Sequence, residues 1–252
     1  MNLKRFRLLM GITFLLCFGV TCRGADRPVS TGMVPVEEQV VTLTAVGDVV
    51  MHTPIVDSAF DPATGAYDFR PIFTGINQDL LRSDLAVGVL ESPLAGPEEK
   101  YTGYPRFNAP GAIADALKWA GLDLVFTAHN HCLDRGISGL ESTLAYLDQI
   151  GLPYVGGQRQ PKQARYRIVA VKGIRLAFLS YTTITNGIAT PSGWEWAVNR
   201  LDFSRVAEDI AAAKRNGADG IIMAMHTGTE YQRQPSPDQR KLIDRLLDMG
   251  VD

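Results

Sequence analysis

Cysteine is nearly missing from the body of this 252-residue chain: Cys17 and Cys22 fall within the first 25 residues, and only Cys132 lies beyond them. An intramolecular disulfide therefore cannot form in the remainder, whatever the compartment. Histidine is also scarce, at four residues, and basic charge is not in excess, with 25 Lys+Arg against 27 Asp+Glu. Internal repeats and low-complexity tracts are absent. The apolar run near the N-terminus, Leu8 to Cys22, is too short for a comfortable membrane span.

Lys4, Arg5 and Arg7 precede that run, and Arg23, Gly24 and Ala25 follow it, which is a signal-peptide pattern. The expectation is export, to a periplasmic, cell-surface or membrane-associated location, with cleavage near Gly24 or Ala25. Lipidation at Cys22 or an uncleaved N-terminal anchor are the alternatives, although Gly19-Val20-Thr21 fits a lipidation box poorly. Cleavage after Ala25 would remove four basic residues and leave 21 against 27 acidic ones, a net charge of −6. Such a chain is a poor partner for nucleic acid or anionic lipid.

What is present suits one folded unit. Hydrophobic residues make up 46% and charged ones 21%, enough for a sizeable core. Residues 1–25 read as a leader, 26–39 as a linker rich in proline, glycine and charge, and 40–252 as a single α/β domain.

Within that domain, apolar strand-like runs alternate with helical periodicity. Strands are expected at Val40–Val46, Leu85–Leu90, Leu122–Ala128, Pro153–Val155 and Asp219–Met225, with a hairpin of Tyr166–Val171 and Ile174–Tyr181 about Lys172-Gly173. Helices are expected over Pro71–Leu81, Gly111–Ala120, Asp202–Asn216 and from the capping boxes Ser138-Gly-Leu-Glu141 and Ser236-Pro-Asp-Gln239. The segment Leu94–Asn108, with its prolines and glycines, reads as an exposed excursion over the site edge.

The chemistry-bearing residues gather at strand ends. Asp48 and His52 follow the first strand and Glu91 the second; His129, Asn130, His131 and Asp134 follow the third, and His226 and Glu230 the last. In open α/β sheets the carboxyl edge is where ligands bind. Carboxylate, imidazole and amide oxygen together suit Mn²⁺, Zn²⁺ or Fe²⁺, and a pair of such ions can clamp a phosphate ester while a free histidine protonates the leaving group. Each residue also has a structural reading: Asp48 as a turn cap after Gly47, Glu91 as a solvated strand end, a lone histidine as packing. Cys132 reads as a small buried residue, not a nucleophile, because no base and orienting group are spaced for it. Trp194 and Trp196 either line a cleft or anchor their own loop.

Several motifs occur in order: Ala45-Val-Gly-Asp48, Leu90-Glu-Ser-Pro-Leu94, Phe107-Asn-Ala-Pro110, Asn130-His-Cys-Leu-Asp-Arg-Gly136 and His226-Thr-Gly-Thr-Glu-Tyr231. Together they resemble the CapA family of poly-γ-glutamate capsule biosynthesis proteins, related to calcineurin-like metallophosphatases. The resemblance implies a four-layer α/β/β/α sandwich. It also implies two divalent metal ions held by Asp48, Glu91, Asn130 and His226, with His131 as proton donor. His52, His129, Asp134, Glu230 and Arg106 would then lie nearby or contact substrate. The implied partner is an anionic cell-surface polymer such as poly-γ-glutamate, which a net charge of −6 repels unless bound cations or a basic strip of Lys100, Arg106 and Arg135 intervene.

Three positions depart from the family's pattern. Val89 stands where an asparagine is usual before Leu-Glu, and His129 stands where the usual run is Asn-Asn-His. The family continues past the equivalent of Gly250-Val-Asp252 into a strand and a His-Pro-His turn, so a C-terminally incomplete domain is expected. The two functional readings are a metal-dependent hydrolase and a non-catalytic polymer-binding component whose metal is structural.

Overall fold

The computed structural model describes residues 39–252; the expected leader, and the expected linker up to residue 38, lie outside them. The first sheet has four parallel strands in the order β1 (Leu43–Val49), β4 (Leu85–Leu90), β5 (Leu124–Phe126), β6 (Tyr154–Val155). The second has three: β7 (Tyr166–Val171) runs antiparallel to β8 (Ile174–Thr182), which is parallel to β9 (Gly220–His226). The apolar run of β4 is continuous, not alternating, because both of its faces are covered. At Gly88 a Cβ would meet Val46 Cγ2 of the neighbouring strand β1 at 2.8 Å and Leu122 Cδ1 at 3.0 Å, so a side chain there would crowd the packing around β4.

Leu85, Val87, Leu124, Phe126 and Val155 of the first sheet pack with Phe178 of the second, flanked by Leu176, Ile222 and Ala224. The sheets thus lie face to face. Helices α3 (Ala112–Ala120) and α4 (Gly136–Ile150) cover the far side of the first sheet through Ile113, Leu117, Leu140, Leu144 and Leu147. Helices α5 (Phe203–Arg215) and α6 (Pro237–Asp248) cover the second through Val206, Ile210, Ala213 and Leu246. This is the four-layer sandwich expected. Asp202 caps α5 by accepting from the N–H groups of Ser204 and Arg205, and Ser236 with Gln239 forms a complete capping box on α6. The N–H of Asp252 donates to Ile221 O, and its carboxylate accepts from Ile221 N, so the last residue lies against β9.

Several expectations are corrected. The helix expected over 71–81 is two pieces, a 3-10 turn at Arg70–Phe73 and α2 at Asn77–Arg82. Gly75 lies at the break, where glycine costs about 1 kcal/mol in a helix. Only Phe73 and Leu80 turn inward, while Ile72 and Ile76 are exposed. Ser138 does not cap α4, which begins two residues earlier; its hydroxyl donates back to Arg135 O. The excursion at 94–108 is largely buried at its ends. Asn108 accepts from Ala95 N and donates to the carbonyls of Gly96 and Lys100, folding the loop onto the core. A short helix α1 (Thr53–Ser58) and a hairpin of β2 (Phe60–Asp61) and β3 (Ala66–Tyr67) were not expected.

Candidate metal centre

Four strand ends meet in one cleft of about 480 Å³, lined by Asp48, Glu91, Asn130, Asn186, His226 and Glu230 among others. Asp48 reaches it through an irregularity. Between Ala45 and Asp48, β1 advances three residues while β4 advances two, a bulge that re-aims the side chain. Glu91 follows β4, its N–H held by Val49 O at 3.1 Å. Asn130 and His131 lie in the turn after β5, and His226 ends β9.

Asp48, Glu91 and His226 each offer a donor atom, and all three atoms lie within 4.8 Å of one another. His226 Nδ1 is 3.9 Å from Asp48 Oδ1, and its Nε2 is 3.9 Å from Glu91 Oε1 and 3.0 Å from Asn130 Oδ1. Burial, and after it the negative charge of Asp48, pushes the Glu91 carboxyl up to about 7. Burial also holds His226 below the ordinary histidine range, and Asp48 works against that. Two carboxylates, a neutral imidazole and an amide oxygen, crowded enough to raise one acid toward neutrality, fit a divalent cation that would relieve the repulsion.

A second arrangement adjoins it. His131 Nδ1 lies 2.7 Å from Asp134 Oδ2, which also accepts from Phe107 N at 2.8 Å. The ring packs edge-on against Phe107, centroids 4.6 Å apart. Asp134 is thus an orienting group, fixing Nδ1 as the protonated nitrogen. His129 is buried, and its Nδ1 accepts from His131 N at 3.2 Å; burial holds this imidazole well below the ordinary range, so it acts as neutral framework for the turn.

The remaining expected residues are placed less directly. His52 is exposed and meets Phe107 edge-on with centroids 5.1 Å apart, so Phe107 touches both His52 and His131. Glu230 lines the cleft from the loop after β9 and helps raise Glu91. Arg106 is exposed, and among the described residues no hydrogen bond or ion pair joins its side chain to the cluster. Its carbonyl accepts from Thr102 and Arg135, which turns the residue into part of its loop. Arg135 is committed to the same loop through Phe107 O and Thr102, which weakens the basic strip. Trp194 and Trp196 stack on each other at 5.1 Å, Trp196 donating to Gly193 O, and so anchor their own loop. Cys132 is buried, its thiol pushed up to about 12.

One cleft residue was missed from the sequence. Asn186 lies between Asn130 and His131, with its Oδ1 3.3 Å from Asn130 Nδ2 and its Nδ2 3.3 and 3.4 Å from the two His131 ring nitrogens. In the sequence Asn186-Gly187 carries only a turn signal.

Residues 42–252 match the family described as "Bacterial capsule synthesis protein PGA_cap". The chain belongs to this family. It is 26% identical over 226 residues to "Capsule biosynthesis protein CapA" of Bacillus anthracis, covering 86% of this chain and 53% of that protein. It is 25% identical over 257 residues to "PGA biosynthesis protein CapA" of Bacillus subtilis, covering 99% of this chain and 64% of that one. The chain therefore spans between half and two thirds of the length of these curated relatives. Among solved structures, the calcineurin-like phosphoesterase YfkN from Bacillus subtilis superposes with a TM-score of 0.52 at 17% identity, over 84% of this chain and 70% of that one. At that identity the likeness shows the fold, a metallophosphatase-type α/β sandwich, and nothing of substrate.

Proposed function

We propose that this chain serves the making of an anionic cell-surface polymer such as poly-γ-glutamate, as a metal-dependent hydrolase of an ester or amide bond. The observation that carries this reading is the convergence of Asp48, Glu91 and His226 within 4.8 Å, with the His131–Asp134 pair joined to them through Asn186 and Asn130. Asp48, Glu91, Asn130 and His226 would hold the metal. A divalent ion there supplies Lewis acidity and a lowered pKa for bound water. The chain's own residues do the rest: Asp134 holds His131 through Nδ1–H, Phe107 braces the ring edge, and His131 Nε2, once it has taken up a proton, would be the nitrogen that gives it to a leaving group. Export by the N-terminal leader belongs to the same proposal; among the described residues no helix is long and apolar enough to cross a membrane.

A specific observation favours the second reading, a polymer-binding component with a structural metal. His131 is 6% exposed and Asn186 covers it, so the proton donor does not open directly to the cleft. Metal content and turnover of bis-p-nitrophenyl phosphate separate the two. The hydrolase reading expects bound Mn, Zn or Fe at one to two equivalents, lost in Asp48→Ala, and turnover lost in His131→Ala with metal retained. Metal bound without turnover in the parent supports the structural clamp; no metal in the parent sinks both metal roles.

A further inference from the structure

We propose that Asn186 is a positioning residue that holds the Asn130 amide with its oxygen turned toward Glu91 and His226. The inference rests on the reading of Asn130 as a metal ligand. It is drawn from a chain of contacts that begins outside the cluster. The Asp134 carboxylate can only accept, so the proton between it and His131, 2.7 Å away, belongs to Nδ1. Asn186 Nδ2 lies against the His131 ring, 3.3 Å from Nδ1 and 3.4 Å from Nε2. Asn186 Oδ1 faces the other way and accepts from Asn130 Nδ2 at 3.3 Å. Asn130 Oδ1 is then left facing His226 Nε2, at 3.0 Å. Reversing Asn130 would set two carbonyl oxygens against each other and aim an NH₂ group at the cation site.

The backbone presents Asn186 for this task. It sits at φ +48° at the apex of a turn closed by Ile188 N to Thr185 O at 2.8 Å and by Thr185 Oγ1 to Ile188 O at 2.7 Å. Asparagine is among the few non-glycine residues that readily adopt that conformation. The turn hangs from the end of β8, so the second sheet orients a ligand carried by the first.

Two variants test the lock in the full chain. Asn186→Gly removes the side chain without straining a positive φ, whereas Asn186→Asp keeps an atom that can only accept from Asn130 Nδ2. With Mn²⁺ alone as probe, calorimetric titration should show affinity about tenfold or more weaker for Asn186→Gly, the scale on which groups orienting a ligand act. Asn186→Asp should bind at least as tightly as the parent. Equal affinity in Asn186→Gly and the parent overturns the lock, as does an equal loss in both variants. A second readout needs no metal: exchange of the Asn130 side-chain NH₂ in ¹⁵N-labelled protein should be slower in the parent and Asn186→Asp than in Asn186→Gly. If the parent binds no Mn²⁺, the metal reading fails on its own, and the exchange rates still decide the lock, equal rates overturning it.

Discussion

The two sheets contribute to the cleft in opposite ways. From β4 and β5 of the first come Glu91, His129, Asn130, His131 and Asp134, each between 3% and 9% exposed, whereas Asp48 on the edge strand β1 keeps a side chain 47% exposed. From the second comes His226, its side chain 21% exposed, followed by a loop in which Tyr231 is 97% exposed. The first half is organised before anything binds, at the cost of desolvating ionisable groups: Glu91 is raised and His129 lowered, mainly by burial. The second half stays open to solvent and leaves room for a substrate. The cleft thus pairs a preorganised side with an accessible one, which is the arrangement the proposed hydrolase reading asks for.

The comparison breaks if the buried half proves replaceable. Phe107 is 1% exposed and touches both His52 and His131, so Phe107→Ala should cost about 4 kcal/mol in urea unfolding. A loss under about 1 kcal/mol would show that this half is not tightly packed. Asp134→Ala strands two buried donors, His131 Nδ1–H and Phe107 N–H, and should cost about 3 kcal/mol by the same measurement, with Asp134→Asn intermediate.

A pH dependence sharpens the point. The Glu91 carboxyl of the metal-free protein is raised from 4.5 to about 7. A raised carboxyl favours the protonated folded state, so the stability it contributes is present below pH 4.5 and lost as pH climbs through 7. The metal-free chain should therefore be stabler at pH 5 than at pH 8 as far as this group is concerned. Metal affinity should run oppositely, falling about tenfold per pH unit below 7 as one proton competes; calorimetry at pH 6 and 8 checks it. Affinity flat over that interval would mean that Glu91 is not a ligand.

Smaller effects are expected outside the buried half and at the inert thiol. Glu230→Gln, on the exposed loop, should change unfolding by no more than about 0.5 kcal/mol. Cys132, with its thiol pushed up to about 12, should resist iodoacetamide at pH 8 in the native chain and react only on unfolding. Rapid native labelling would mean that the turn after β5 opens readily.

Much of the scaffold was legible because its signals are local. The run Leu85–Leu90 names a strand buried on both faces, and Ser236 with Gln239 names a helix start. Gly121, at φ +107°, stops α3 as its position suggests. Where two local signals competed, the reading erred. Pro71 and an apolar stripe suggested one helix where Gly75 separates two, and Ser138 resembled a cap although Gly136, at φ +64°, had already started α4. The segment at 94–108 looked exposed from its prolines and glycines because the three hydrogen bonds of the Asn108 side chain have no sequence signature.

By itself the sequence determined the order of strands and helices, the strand ends that carry Asp48, Glu91, Asn130, His131 and His226, and the membership of a family. Strand and helix periodicity and turn chemistry are properties of neighbouring residues, and motifs are read in order along the chain. Only the tertiary structure decided that His129 Nδ1 accepts from His131 N, that Asp134 is the partner of His131 and that Asn186 stands between His131 and Asn130. Those assignments depend on direction and distance between residues as far apart as 130 and 186, which are set only once the two sheets pack face to face.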